Sequence, residues 1–210
     1  MFITFEGSDG GGKSTQITLL SFYLRQQGYK VITTREPGGT TIGEQVRNTL
    51  HDILNKNMTP TAEALLYSAS RAQLVEEIIR PALASQHIVL SDRYADSTLA
   101  YQGYGRGLDL NDLTRLNRLA TGGLKPDLTF LFEVDIEAGL SRRAAGGIEM
   151  NRMDLQTIEF YRRVMNGYRE LAEANPGRWV TIDANRAVDA VQNDLRRHII
   201  ERLKNFPRLK

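Results

Sequence analysis

Cysteine is absent from the chain, which excludes disulfides, thiolate metal centres and cysteine nucleophiles. Long apolar runs are absent too. No stretch approaches the ~20 residues a membrane-spanning helix needs, so no membrane partner is expected. A dominant charge is also missing: 27 Lys and Arg stand against 25 Asp and Glu, a net charge of +2 at pH 7. That balance is too small to argue for nucleic acid as a partner. No polar linker, low-complexity tract or internal repeat divides the 210 residues, a length that suits one sizeable domain. The first β-type run starts at Phe2, which leaves no room for a presequence, and a soluble cytoplasmic protein is expected.

What is present begins with Gly7-Ser8-Asp9-Gly10-Gly11-Gly12-Lys13-Ser14-Thr15, preceded by the apolar stretch Phe2-Ile3-Thr4-Phe5. This is a complete Gly-x-x-x-x-Gly-Lys-Ser phosphate-binding loop. Gly7 and Gly12 allow backbone conformations that turn successive N–H groups toward one phosphate cluster, and Lys13 reaches the β and γ phosphates. Ser14 opens the next helix, so its hydroxyl can ligate Mg²⁺ while the free N–H groups of the helix end face the anion. The loop residues 7–15 are therefore expected to hold ATP.

Short β-type runs alternate with helical ones. Phe2–Glu6, Tyr29–Arg35, His87–Asp92, Leu128–Val134 and Arg178–Asp183 read as strands. Ser14–Gln27, Ile42–Leu54, Thr61–Ser85, Leu110–Ala120, Ile136–Ala144, Asp154–Asn175 and Val188–Lys204 carry helical spacing. The alternation predicts an α/β fold with a five-stranded parallel sheet flanked by helices on both faces. Pro37-Gly38-Gly39, Thr121-Gly122-Gly123, Gly146-Gly147 and Pro176-Gly177 punctuate it. Ala145–Asp154 is glycine-containing and charged, between helices that carry Arg142, Arg143, Arg162 and Arg163. It reads either as a mobile cover or as an ordinary solvated connection.

In an open parallel sheet, ligands collect at the carboxyl ends of the strands. The second strand ends in Arg35-Glu36-Pro37-Gly38-Gly39-Thr40 and the third in Ser91-Asp92-Arg93-Tyr94. An apolar strand ending in Asp92 suits an acid that reaches Mg²⁺, directly or through water; Asp92 as a helix cap is the alternative. Arg35, Arg47 and Arg93 fall where a second anionic substrate would lie. GTP switches usually carry an Asn-Lys-x-Asp loop, which this chain lacks, so a small-molecule kinase is favoured. Tyr67 and Arg71 share one helical face, offering a ring to stack on a base and a donor for its carbonyl. A core tyrosine and a paired arginine would leave the same spacing.

Several motifs, in order, resemble the thymidylate kinase family over nearly the whole chain: Phe5-Glu6-Gly7, Arg35 to Thr40, Tyr67-x-x-x-Arg71-Ala72-Gln73, Asp92-Arg93-Tyr94-x-x-Ser97-Thr98-x-Ala100-Tyr101-Gln102-Gly103, and Pro126-Asp127-Leu128. The resemblance implies a nucleoside-monophosphate-kinase-like fold, a single domain over 1–210 with a mobile lid at about 143–154, and a homodimer. It also implies transfer of the ATP γ-phosphoryl group to thymidine 5′-monophosphate (dTMP) with Mg²⁺. By the same resemblance Asp9 accepts from the sugar 3′-hydroxyl, and Arg47 and Arg93 hold the acceptor phosphate, with Glu36 in the same cleft. Tyr67 takes the stacking position, commonly Phe. Arg71, Thr98 and Gln102 face the thymine edge, and Tyr101 borders the deoxyribose. Lys13 and Ser14 serve ATP and Mg²⁺, and Asp92 supports the metal. Some members carry a catalytic arginine in the phosphate loop where Gly10 stands, so here the cations are expected from the lid: Arg143 and Arg152 first, then Arg142. Asn151-Arg152 replaces the commoner Asp-Arg. A related kinase with another acceptor, or an ATPase switch, are the competing readings.

Overall fold

The computed structural model describes residues 1–145, 151–204 and 206–208; the Gly146-Gly147 breaker and the middle of the expected lid lie outside them. Strand β1 (Phe2–Gly7) leads through the phosphate loop into helix α1 (Lys13–Gln26), then β2 (Val31–Arg35) and α2 (Thr41–His51). A short 3₁₀ turn, Ile53–Asn55, precedes α3 (Pro60–Leu74), a π-helical turn at Val75–Ile79, and α4 (Arg80–Ala84). There follow β3 (Ile88–Asp92), α5 (Ala95–Thr98) with a π-helical continuation Leu99–Gly105, and α6 (Leu110–Thr121). The chain ends in β4 (Leu128–Glu133), α7 (Ile136–Ala145), α8 (Ile158–Glu173), β5 (Trp179–Asp183) and α9 (Val188–Arg202).

All five strands run parallel in the order β2-β3-β1-β4-β5. Being covered on both faces, they read as nearly continuous buried runs rather than alternating ones, and all six residues of β1 are buried. On one face Phe5, Phe130 and Phe132 pack with Ile17 and Leu20 of α1 and with Val191 and Leu195 of α9. On the other, Leu131 meets Tyr161, Val164 and Tyr168 of α8, while Phe2 and Val89 meet Leu74, Val75 and Ile79. Each large apolar side chain so buried stabilises the fold by roughly 1.5–3 kcal/mol. The sheet thereby fixes the carboxyl ends of β1, β2 and β3 side by side.

The structure differs from the sequence expectation in three places. The expected helix 61–85 breaks into α3, a π turn and α4. Pro81 is the cause: it lacks an N–H and its ring crowds the carbonyl four residues back, and the widened turn lies immediately before it. The segment 95–105, unassigned from sequence, is helical. Its Gly105 packs so closely on α8 that an added Cβ would stand 2.7 Å from Phe160 Cε2, a contact that no local pattern announces. Finally, α8 starts at Ile158 rather than near Asp154, capped by Thr157 Oγ1, which accepts from Phe160 N at 3.3 Å.

Candidate active site

The phosphate loop owes its shape to glycines in the left-handed region: Gly7, Gly10 and Gly12 have φ of 125°, 75° and 81°. Gly10 is also pressed on α7, where an added Cβ would lie 1.9 Å from the Gly139 carbonyl oxygen. Gly12 precedes α1 with no side-chain cap and no acidic residue in the first turn. Bare N–H groups at a helix start that no side chain caps make an anion site.

Lys13 is not at a solvent-facing position. It is buried, and its ammonium donates to the loop's own carbonyls, Gly7 O at 3.1 Å and Ser8 O at 2.7 Å. Burial, with the charge of Arg93 added, pushes its pKa down to about 8. Ser14 Oγ donates to Asp92 Oδ2 at 2.7 Å, which joins the start of α1 to the end of β3. Beyond the loop, Gly10–Gly12 and Thr15 border a cleft shared with Arg142, Arg186 and Val188.

On the other side of the loop opens a cavity of about 560 Å³. Its wall includes Asp9, Glu36, Arg47, Tyr67, Asp92, Arg93, Thr98, Tyr101, Gln102 and Arg143. With Ser14, eleven expected residues from separate stretches thus share one space. Arg93 sits at its centre in the left-handed region (φ 72°), a conformation that costs a non-glycine residue on the order of 1 kcal/mol or more. Its guanidinium donates to Asp9 Oδ1 at 2.9 Å, Tyr101 OH at 3.0 Å and Tyr168 OH at 3.1 Å. Burial alone would raise the Asp9 carboxyl, but Arg93 and Lys13 hold it well below the usual range. Asp9 is therefore an ionised acceptor facing the cavity. Arg47 Nη1 donates to Pro37 O at 2.9 Å. Arg35 is half exposed and neutralised by Glu44 at 2.9 Å.

Two expected residues are buried and held by protein partners. Arg71 is fully buried, 1 % exposed. Its Nε donates to Glu36 Oε2, its Nη1 to Thr98 Oγ1 and Asn117 Oδ1, and its Nη2 to Tyr94 O, at 2.8, 2.9, 2.8 and 3.1 Å. Nη2 also pairs with Glu36 at 2.7 Å. The guanidinium stands behind the cavity wall, and direct donation to a base would mean sharing one of these hydrogens. Arg152 is likewise buried, not a free cation. Nε donates to Leu50 O at 2.9 Å, Nη1 pairs with Glu63 at 2.6 Å, and its backbone N–H donates to His51 O at 3.0 Å. It clasps the last turn of α2 to α3. Arg143 does face the cavity, held by Asp154 Oδ2 at 2.9 Å. Arg142 turns toward the cleft on the far side of the loop.

Sequence reasoning missed Glu6, Glu63 and His51. Glu6 accepts from Tyr94 N, Ser97 Oγ and Tyr168 OH at 2.8, 2.6 and 2.8 Å, and so carries the Arg93 environment. Burial, then the charge of Asp96, pushes its pKa up to about 7. The available signal was a glutamate inside an apolar strand. His51 lines the cavity one turn beyond Arg47 on the same helix; burial, then Arg47, pushes its pKa down to about 4.

Comparison with known proteins decides between a kinase and the alternatives. The thymidylate kinase family model matches residues 5–195. The chain belongs to the thymidylate kinase family. Among its relatives, the thymidylate kinase of Geotalea daltonii is 50% identical over 208 residues, covering 96% of this chain and 97% of that one. That of Gloeobacter violaceus is 50% identical over 197 residues, covering 93% and 92%. The crystal structure of thymidylate kinase from Ehrlichia chaffeensis superposes with a TM-score of 0.76 at 35% identity, over 95% of this chain and 98% of that one. As a thymidylate kinase the chain uses ATP to phosphorylate dTMP to dTDP. The five-stranded fold and its sheet order agree with that family.

Proposed function

We propose that donor and acceptor meet at the Asp9–Arg93 pair, with ATP on the phosphate loop and dTMP in the cavity beyond it. The observation that carries this reading is that Arg93 binds Asp9 of the loop directly, so the two sites share one ion pair. The loop amides and Lys13 take the ATP phosphates, Lys13 exchanging the Gly7 and Ser8 carbonyls for phosphate oxygens of higher charge density. Arg47 and the second face of Arg93 take the acceptor phosphate. Asp9, held ionised, accepts from the sugar 3′-hydroxyl. Tyr67 stacks on the base, Tyr101 borders the sugar, and Thr98 and Gln102 meet the base edge. Arg71 and Glu36 support that edge from behind.

Phosphoryl transfer asks the protein for in-line positioning and charge neutralisation rather than covalent chemistry. With Gly10 bare, Arg143 is the cation of the lid stretch that reaches the cavity, and it is proposed to neutralise the transferring group. Mg²⁺ fits the hard-oxygen pair Ser14 Oγ and Asp92, which together with substrate phosphates and water is the donor set this ion prefers. When bound it would draw negative charge from the phosphates. No third carboxylate or histidine joins the pair among the described residues, in keeping with a metal completed by its substrate.

A single domain over 1–210, a lid near 143–154, a homodimer and a cytoplasmic location are proposed on the family resemblance. No described helix is long and apolar enough to cross a membrane. Leu65 of α3 and Leu119 of α6, 53% and 81% exposed, are apolar surface that pairing would cover; light scattering in solution tests this. The site reading is tested by coupled assay of ATP consumption across a panel of nucleoside monophosphates. Strong dependence on dTMP is expected. A related kinase would prefer another acceptor, and a switch would consume ATP at one rate with all or none.

A further inference from the structure

Behind the base edge of the cavity lies a carboxylate that the phosphoryl-transfer reading does not use. Glu63, at the start of α3, is 1% exposed and is absent from the cavity wall. Its Oε1 accepts from Gln102 Nε2 at 2.7 Å and from Arg106 Nε at 3.2 Å. Its Oε2 accepts from Arg106 Nη2 at 3.1 Å and pairs with Arg152 at 2.6 Å. One buried carboxylate thus faces two guanidiniums and one side-chain amide.

We infer that Glu63 fixes which end of the Gln102 amide the acceptor base meets, and so makes the cavity select a pyrimidine that carries a hydrogen on N3. The inference rests on the dTMP reading of the cavity. An amide has a donor end and an acceptor end of nearly the same shape, and only its partners decide which way it points. An ionised carboxylate is acceptor-only. Burial would raise the Glu63 carboxyl, but hydrogen bonds from Arg106 and Gln102 hold it below its usual value. It therefore has no proton to offer an amide oxygen. Turning the Gln102 amide over would set oxygen against oxygen in a buried place, where unpaired polar atoms are costly. One of the two Nε2 hydrogens is held by Glu63, which fixes the orientation of the amide, and among the described residues nothing donates to Oε1 of this cavity-lining side chain. The end of the amide turned away from Glu63 is the carbonyl oxygen. Thymine and uracil present N3–H to such an oxygen; cytosine presents a lone pair.

Replacing Glu63 by Gln removes the constraint, because a glutamine can accept from Nε2 or donate to Oε1. The experiment compares the dissociation constants of dTMP and of deoxycytidine 5′-monophosphate for the parent and for Glu63→Gln, with turnover of dTMP measured beside them. The ratio of the two constants is expected to fall by about tenfold or more, a loss within the range a misplaced hydrogen bond produces in a discriminating site. A merely structural role would weaken both ligands alike. An unchanged ratio overturns the inference. Should Glu63→Gln not fold, the parent answers alone: the Gln102 side-chain N–H₂ resonances, assigned by their loss in Gln102→Leu, should stay slow to exchange with and without dTMP. A large downfield shift of these resonances when dTMP binds would mean that the amide has turned from Glu63 to donate to the base, and the inference falls. A parent that does not turn over dTMP would instead overturn the reading of the cavity.

Discussion

The two ends of the cleft are built from different material. The phosphate loop is backbone: three glycines with positive φ, the bare N–H groups of α1, and a lysine folded onto its own loop. The proposed acceptor cavity is side chain: Asp9 from the loop, Arg47 from α2, Tyr67 from α3, Arg93 from the end of β3, and Tyr101 and Gln102 from the π-helical segment. A backbone site tolerates side-chain change as long as its dihedrals survive. A side-chain site depends on buried charges that must each be matched. Losses at the two ends should therefore differ in kind, chemistry at one and chemistry with stability at the other.

Arg93→Ala should give the largest effect, because it breaks both ends at once. It strips Asp9 of its partner and leaves the Tyr101 hydroxyl unpaired, while Tyr168 keeps Glu6 and Ser97. Turnover is expected to fall on the order of 10³-fold, and stability by roughly 1–3 kcal/mol, the cost of leaving polar partners unmatched in a partly buried site. Turnover and urea denaturation read the two effects. A variant that loses activity but melts like the parent would show that the pair is not part of the fold.

Lys13→Ala sharpens the contrast from the loop side, with a loss of about 10²- to 10³-fold in turnover and little change in the urea midpoint. A large loss of stability would mean that the buried ammonium also holds the loop closed. The arginines of the proposed lid divide the same way. Arg143→Ala is expected to reduce turnover by about 10²-fold with acceptor affinity nearly unchanged. Arg152→Ala, which uncouples α2 from Glu63, should act mainly on stability and acceptor affinity. Equal, few-fold effects on turnover from both would refute a catalytic role for the lid.

The smallest effect is one of pH. Burial and Arg93 favour the neutral amine of Lys13, so its ammonium is lost as pH rises through about 8. In the free enzyme kcat/KM for ATP should then decline above that pH, approaching tenfold per unit. In Lys13→Arg, which stays charged, the alkaline limb should vanish even though the rate is lower throughout.

The loop was readable in the sequence because its chemistry is spacing along one stretch of chain. The strands were readable because a buried parallel sheet needs unbroken apolar runs. The cavity was reached through family motifs, and the sequence did not show that two of its arginines are held by buried partners, for a physical reason. Whether a guanidinium is free or buried depends on its partners, and those of Arg71 and Arg152 lie far off in sequence: Glu36 and Asn117 for one, Glu63 and Leu50 for the other. No local pattern around either arginine carries that information. The helix at 95–105 escaped for the same cause, since Gly105 makes sense only against Phe160 and Val164, and Gly103 against Leu110 and Leu113.

The contact between Gly10 and Gly139 bears on how such a chain can change over generations. An added Cβ on Gly10 would collide with the Gly139 carbonyl, and one on Gly139 would stand 3.0 Å from the Asp9 carbonyl oxygen. A single substitution cannot carry this chain toward a loop-borne arginine, because the first mutant would push α7 off the loop before the new cation could act. The backbone at 139 would have to retreat first, a step that brings no catalytic gain of its own. Under the proposed lid mechanism, the two ways of supplying the cation are thus separated by a valley in sequence space, and a lineage that has closed this gap with two glycines would be held to its lid.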